Sequence, residues 1–178
     1  MLSFTSLEPF DRNGRVRMVV ETPRGSSIKF KFDEALGGFT VSRTLALGIT
    51  YPFDWGFIPG TMSDDGDAVD AMCLSPLATF PGAVLPCRAI AALQINQKGI
   101  GSRVKNPRVI LAPDWDGARS LGSDLALDAG ARSQIEQFFV NATLFTDKDA
   151  SVGGWLDADS AERLIRKAVS ARNQTKQL

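Results

Sequence analysis

The chain has 178 residues, of which 44% are hydrophobic, so it is long enough for one domain with a buried core and short for two. Its 20 basic and 20 acidic residues cancel, so no net field would draw it to nucleic acid or to an anionic membrane. Histidine is absent, which excludes Ser-His-Asp and Cys-His catalysis and every metal site that requires imidazole.

The first two thirds of the chain is predicted to form short strands. Side chains alternate in character over residues 16–20 and 28–32, and the turn residues between these runs suit a hairpin. Similar runs, separated by glycine and proline, recur at 38–44, 51–57, 71–74, 83–95 and 109–111. Many short strands favour a closed or nearly closed barrel, ending near residue 112.

The last third has the spacing of helices and is assigned to residues 128–172. The second helix is expected to start at Asp157 or Asp159, either of which can cap its first turn, and to fray into a polar tail from residue 173. The whole chain is therefore predicted to be one α+β domain, a barrel with two main helices packed outside. The apolar faces comprise Ile135, Phe138, Phe139 and Ala142 in the first helix, and Ala161, Leu164, Ile165, Ala168 and Val169 in the second.

The cysteines and the N-terminal residues indicate the cellular compartment. Cys73 and Cys87 lie in apolar segments without CxxC spacing, and we expect buried thiols of a reducing compartment, with a contact between two strands as the alternative. The first 15 residues have no basic segment followed by an apolar core, and no stretch approaches the roughly 20 apolar residues of a membrane span. These features predict a cytoplasmic protein.

The highest concentration of potential metal ligands lies in the acidic segment 63–72, which holds four aspartates within seven positions. Gly66 allows a tight turn that brings Asp65, Asp67 and Asp70 toward one point. Crowded carboxylates repel one another, and a bound cation relieves this repulsion. A site in which all ligands are oxygen atoms favours Mg²⁺ or Mn²⁺. The alternative is a solvated acidic turn, which is the interpretation adopted for Asp64 alone.

Basic and polar side chains suited to phosphate are scattered over the predicted strands. Lys29 and Lys31 share one face of a strand, whereas Arg43, Tyr51 and Glu21 lie at or near the ends of others. Each alone is adequately explained as a surface charge or as a tyrosine at the rim of the core. Together they would supply cations around phosphoryl oxygens beside carboxylates that hold a metal ion and a water molecule.

From about Arg17 to the last helix, the sequence resembles the soluble family I inorganic pyrophosphatases. The acidic signature Asp-Gly-Asp-Ala-Val-Asp at 65–70 is the most specific part. The resemblance implies a five-stranded OB-like barrel, Mg²⁺-dependent hydrolysis of diphosphate, a cytoplasmic setting and usually a homohexamer. The other segments that carry it are 19–23, 28–30, 41–43, 51–59, 81–88 and 134–139.

The resemblance also implies roles for individual residues. Asp65 and Asp70 correspond to metal ligands, and Asp67 to a further ligand that helps to deprotonate the attacking water. Glu21 corresponds to an acid in the outer shell of the metals, where Lys31 also falls. The residues on the phosphate side are Lys29, Arg43, Tyr51 and Arg108.

Several positions depart from the family pattern. Lys31 stands where the family has an acid, and Trp55 where it has a tyrosine whose hydroxyl reaches phosphate. Within 95–108, the best register places Gln97 and Lys98 at an acidic pair. The remaining departures are Asn106 at an aspartate, Arg108 at a lysine, and Ala142 and Thr143 at a Tyr-Lys pair that grips phosphate.

These departures remove up to four carboxylates, so we expect fewer metal ions than a complete family site holds, with Lys31, Lys98 and Arg108 partly substituting for missing cations. The favoured hypothesis is a diphosphate hydrolase, slow or shifted to another phosphoanhydride, that acts as a homo-oligomer on a small molecule and needs neither nucleic acid nor membrane. The alternative is a protein without useful turnover that binds phosphate, diphosphate or a protein partner.

Overall fold

The computed structural model describes residues 4–99, 101–118 and 127–175, which form eight strands, two α-helices and a short 3-10 helix. The strands are β1 (Val16–Thr22), β2 (Ile28–Asp33), β3 (Gly38–Thr44), β4 (Asp54–Ile58), β5 (Val69–Cys73), β6 (Val84–Lys98), β7 (Arg103–Pro113) and β8 (Ser151–Leu156). The helices are α1 (Ala129–Asn141) and α2 (Ala158–Thr175), and the 3-10 helix spans Phe4–Ser6.

Five of these strands pair in a closed ring. β1 lies between β4 and β6, and the ring continues from β4 through β5 and β7 back to β6. Only the pairing of β5 with β7 is parallel. β8 extends β6 outside the ring, and β2 and β3 form a separate hairpin. The predicted α+β fold, a five-stranded OB-like ring with two helices, is confirmed.

The ring strands alternate their side chains between two apolar clusters, one under each helix. On β5, Cys73 joins the cluster that contains Ile165 of α2, and Met72 joins the one that contains Phe138 of α1. This alternation follows from the two-residue period of a strand. Cys87 lies in the same cluster as Cys73, and the two sulfurs are 3.7 Å apart. The cysteines are therefore buried free thiols that are also in contact.

Two predictions of local structure are wrong. β1 and β2 do not form a hairpin, because β1 is buried along nearly its whole length and takes a place in the ring. β2 is held to it instead by the Thr22 hydroxyl, which accepts from the Phe30 N–H at 2.9 Å. β8 lies in the part of the chain that was expected to be helical.

The predicted cap of α2 is confirmed, whereas the predicted apolar face of α1 extends one residue beyond the helix. Asp157 precedes α2, and its Oδ1 accepts from the Ser160 N–H at 2.8 Å. α1 ends at Asn141, so Ala142 is its C-cap and not a residue of its apolar face, although it is buried. No helix in the described part of the chain is both long and apolar enough to cross a membrane.

Candidate active site

The acidic turn leads directly into β5. Gly66 has a φ of 86°, in the left-handed region that favours glycine, and its N–H donates to the Ser63 carbonyl at 2.9 Å. The Ser63 N–H in turn donates to the Asp67 carbonyl at 2.7 Å. This closed turn brings Asp65, Asp67 and Asp70 to the wall of one cavity.

We call this cavity, of about 330 Å³, the acidic cavity. It collects carboxylates from the turn, from β1 and from β5, and faces them with cations from β2 and β7 and from the segment after α1. The charged and amide side chains that line it are Glu21, Lys29, Lys31, Glu34, Asp65, Asp67, Asp70, Asn106, Arg108 and Lys148.

A second cavity, of about 40 Å³, adjoins it, and we call it the cationic cavity. The two cavities share Lys29, Arg108 and Lys148. The cationic cavity is closed on one side by aromatic side chains of β4 and α1. Its other lining residues are Arg43, Tyr51, Trp55, Ile95, Gln97, Phe138, Phe139, Ala142, Thr143 and Ala150.

Apart from Lys98, every residue predicted for the site lines one of these two cavities, although the chemical role of each remains a prediction. Lys29 and Arg108 line both. Asp64, interpreted as an ordinary turn residue, lines a separate cavity beside α2. The other site residues divide into Glu21, Lys31, Asp65, Asp67 and Asp70 at the acidic cavity and Arg43 and Tyr51 at the cationic one.

Arg108 organises the boundary between the cavities. Its guanidinium is buried and forms an ion pair with Asp70, and its Nη1 donates to Asn106 Oδ1 at 2.8 Å. Asn106 Nδ2 donates in turn to Asp65 Oδ2 at 3.0 Å. Burial lowers the pKa of Arg108 to about 10, which leaves the side chain charged at neutral pH. Arg108 thus pairs with the carboxylate of Asp70, whereas the sequence predicted a phosphate ligand that also partly substitutes for a missing cation, without this partner.

Asp67 has a different, more exposed partner. Lys31 Nζ lies 3.2 Å from Asp67 Oδ2, and their side chains are 54% and 70% exposed. Asp65, Asp67 and Asp70 are therefore each engaged by a neighbouring side chain. Within the part of the chain that the structure describes, no three or more acidic, histidine or cysteine side chains stand close enough together to hold a metal ion.

Burial perturbs the titratable groups deeper in the site. It raises the pKa of Glu21, whose Oε1 accepts from the Phe32 N–H at 2.8 Å. Burial, together with the charges of Arg108 and Lys148, lowers the pKa of Lys29 to about 8. Burial also raises the pKa of Tyr51, so its hydroxyl keeps its proton at neutral pH.

Lys148 is a site residue that no sequence pattern predicted. It follows α1 in a polar turn beside Asp147 and Asp149, yet it lines both cavities. Lys98, expected to substitute for a missing cation, is exposed and is not among the described residues that line either cavity. Its backbone N–H donates to the Lys148 carbonyl at 2.7 Å and so helps to position that residue.

A ring of five strands that holds carboxylates opposite the buried Arg108 and the half-buried Lys29 defines a protein suited to bind a small polyanion. The family model described as inorganic pyrophosphatase matches residues 18–173. Proteins named inorganic pyrophosphatase from Synechocystis sp. and from Caulobacter vibrioides are 31% and 32% identical to the chain, over 88% and 94% of it and 90% and 93% of their own lengths. The chain belongs to the inorganic pyrophosphatase family.

Solved structures agree with this assignment. The inorganic pyrophosphatase of Thermus thermophilus superposes with a TM-score of 0.81 at 29% identity, covering 97% of this chain and 99% of that one. The enzyme from Helicobacter pylori gives a TM-score of 0.83 at 28% identity, over 94% and 99% of the two chains. The likeness therefore extends over nearly the whole of both folds.

Proposed function

We propose that this chain hydrolyses inorganic diphosphate to two phosphates. The observation that carries the proposal is the pair of adjoining cavities, one rich in carboxylates and one rich in cations, which share three basic side chains. A diphosphate has two linked phosphoryl groups, and this arrangement gives each a distinct environment. The activity named for the relatives supports the same reaction.

The proposed role of each residue follows from the cavity that it lines. Lys29 and Arg43 neutralise the phosphoryl group in the cationic cavity, and protonated Tyr51 donates to it. Arg108 stabilises negative charge at the boundary of the two cavities. Asp67 accepts a proton from the attacking water, because its side chain is 70% exposed, against 26% for that of Asp70.

Asp65, Asp67 and Asp70 would hold Mg²⁺, with Mn²⁺ as a substitute, because all their donors are oxygen atoms in one cavity, and binding would require the three side chains to move closer together than they lie here. When bound, the ion supplies positive charge to the phosphoryl oxygens and acidifies water. We infer fewer ions than a complete family site holds. Asn106 is neutral where the family pattern has an aspartate, and Arg108 already neutralises Asp70.

Because these aspartates already have partner side chains, we expect turnover to be slow or the preferred substrate to be a phosphoanhydride other than diphosphate. They also support a second candidate function, a protein that binds phosphate, diphosphate or a protein partner without useful turnover. The specific observation is that Asp65, Asp67 and Asp70 each have a partner side chain. We further propose that the chain forms a cytoplasmic homo-oligomer, by resemblance a hexamer. Light scattering coupled to gel filtration measures the number of subunits.

The decisive experiment is a colorimetric assay of phosphate release from diphosphate by the purified chain, with Mg²⁺ and then Mn²⁺. We expect release above a no-protein control, and loss of most of it in Asp65→Asn. Asp64→Asn is the matched control, because Asp64 neighbours Asp65 in sequence but lines a different cavity. Release indistinguishable from the no-protein control with both metals would leave the binding function standing alone.

A further inference from the structure

The cavity beside α2 plays no part in the proposed hydrolysis, and we call it the helix cavity. Its volume is about 200 Å³, and among the described residues it has no lining residue in common with the acidic or the cationic cavity. One side is formed by α2, and the other by β5, β6, β7 and the segment that leads into the acidic turn. Its apolar wall consists of Met62, Val69, Pro107, Leu164, Ala168 and Ala171.

The rim of the helix cavity carries an excess of positive charge. Lys105 of β7 and Lys167 of α2 both line it and are exposed, and neither forms a salt bridge with another residue of the described ranges. Asp64 is the single carboxylate among the described lining residues, and it is paired with neither lysine. Two ammonium groups and one carboxylate leave one net positive charge at this rim.

The size and charge of the helix cavity define the chemistry of a ligand that fits it. An apolar cavity of about 150 Å³ admits benzene, whereas larger ligands such as nucleotides occupy pockets of about 300 Å³ or more. One net positive charge is balanced by a carboxylate, whereas a phosphate monoester carries roughly two negative charges at neutral pH. The ligand that matches both properties is a small carboxylate with an apolar body about the size of a benzene ring.

The helix cavity and the acidic cavity lie on opposite faces of the same strand. Along β7, Lys105 and Pro107 line the helix cavity. Asn106 and Arg108, which alternate with them, line the acidic cavity. This division follows from the two-residue period of a strand. A single layer of backbone therefore separates the two cavities along β7.

Main-chain hydrogen bonds connect α2 to the acidic turn. The Met62 N–H donates to the Ala168 carbonyl at 3.0 Å, and the Ser63 N–H donates to the Asp67 carbonyl at 2.7 Å. A metal ion in the acidic cavity requires the carboxylates of the turn to move closer together than they lie here, so the turn must shift. Such a shift changes the wall of the helix cavity that Met62 and Ser63 form.

We propose that the helix cavity binds a small carboxylate with an apolar body, and that this binding is coupled to Mg²⁺ binding in the acidic cavity. The carboxylate lies at Lys105 and Lys167, and the apolar body packs against α2. The binding site stands independently of the proposed hydrolysis, whereas the coupling rests on the part of the proposed function that places Mg²⁺ in the acidic cavity. Coupling is reciprocal, so each ligand changes the affinity for the other by the same factor.

Nuclear magnetic resonance of isotope-labelled methionine methyl groups, with benzoate as the probe, tests the binding site. Met62 lines the helix cavity, whereas Met18 and Met72 are fully buried and do not line it. We expect benzoate to shift the Met62 methyl resonance, with saturation in the millimolar range, and to leave the other two in place. The variant Met62→Leu identifies the resonance. Acetate, which lacks the apolar body, and benzyl alcohol, which lacks the charge, should bind at least about fivefold more weakly.

Three variants test the contacts of the ligand. Replacing both Lys105 and Lys167 by glutamine should weaken the affinity for benzoate at least about fivefold, because both positive charges at the rim are lost. Ala171→Leu should abolish the shift of Met62, because the larger side chain fills the apolar part of the cavity. Arg163→Gln is the matched control and should bind as the wild type does. It removes an exposed positive charge from the same helix, and Arg163 is not among the described residues that line the cavity.

Titrations with benzoate in the presence and absence of saturating Mg²⁺, at constant ionic strength, measure the coupling without any turnover. We expect the affinity for benzoate to change at least about fivefold when Mg²⁺ is bound. The change should disappear in Asp65→Asn, which removes a proposed ligand of the ion.

An unshifted Met62 resonance, or wild-type affinity in the double lysine variant, would overturn the binding site. If circular dichroism shows that Ala171→Leu is unfolded, the double lysine variant decides alone, because both lysines are exposed. Equal affinity for benzoate with and without Mg²⁺ would overturn the coupling. A chain that binds benzoate but releases no phosphate from diphosphate retains this site and loses the proposed function, and the reverse result retains only the proposed function.

Discussion

Replacing Asp67 by asparagine separates a catalytic role from a structural one. The ion pair of Asp67 with Lys31 is exposed on both sides, and such pairs contribute at most about 1 kcal/mol to stability. Asparagine keeps the size of the side chain and the backbone contacts of the turn. Loss of a general base slows a reaction by about 10² to 10⁴, which is about 2.7 to 5.4 kcal/mol in activation free energy. The expected effect on rate therefore exceeds the expected effect on stability severalfold.

The assay measures initial rates of phosphate release at saturating Mg²⁺ and diphosphate, together with unfolding in urea. We expect kcat of Asp67→Asn to fall at least about 100-fold, with a change of less than about 1 kcal/mol in the free energy of unfolding. Lys31→Met serves as the control, because it removes the same ion pair and leaves the carboxylate in place.

Two results would refute this reasoning. If Asp67→Asn keeps more than about a tenth of the wild-type kcat, Asp67 is not the proton acceptor. If Lys31→Met loses as much activity as Asp67→Asn, the ion pair matters and not the carboxylate.

Four further predictions concern charge at the site. Lys31→Glu restores an acid beside Asp67, so Mg²⁺ dependence of phosphate release should steepen or activity should rise, whereas a binding protein would lose affinity for diphosphate. Asn106→Asp places a carboxylate beside Asp65, and calorimetry with Mn²⁺ should find more than the one strong ion expected for the wild type without substrate. Because Lys29 has a pKa of about 8, KM for diphosphate should rise above that pH, and Lys29→Arg should abolish this rise. The same depressed pKa means that the folded state binds fewer protons than the unfolded state between about pH 8 and 10.5, so the free energy of unfolding contributed by Lys29 increases over that window.

The outcomes that contradict these predictions are equally definite. An unchanged Mg²⁺ dependence in Lys31→Glu with intact diphosphate affinity would argue that Lys31 does not face the ligand. Three strong ions in the free wild type would show that the register of residues 95–108 is wrong. A rise in KM that persists in Lys29→Arg would assign the titration to another group.

The elements that were predicted correctly are those with a clear residue pattern over a short stretch of sequence. The alternation in β2 and the apolar stripe of α2, which buries Ala161, Ile165 and Ala168, are properties of short windows of sequence. β8 was missed because Ser151–Leu156 contains two glycines and its first three residues are exposed. It becomes a strand by pairing with β6, with Trp155 opposite Leu93, and that partner is remote in sequence.

The site likewise has one part that local sequence predicted and another that depends on distant strand pairing. The acidic turn was predictable because Asp65, Asp67 and Asp70 lie within six positions around Gly66. The pairing of Asp70 with Arg108 was not, because it depends on the parallel register of β5 and β7. That register sets Ala71 opposite Val109 and so brings the preceding residues side by side.

The closed ring also constrains how the chain folds as it is synthesised. β1 leaves the ribosome first among the strands, yet its neighbours in the ring are β4 and the start of β6, where Val16 pairs with Cys87. Until that later segment has emerged, the buried strand has no partner on one side, and its apolar residues are open to other contacts. Such distant pairings make folding slower than in proteins rich in local contacts. We therefore expect nascent chains that stop before β6 to remain unclosed and to depend on chaperones, whereas the completed ring no longer exposes that edge.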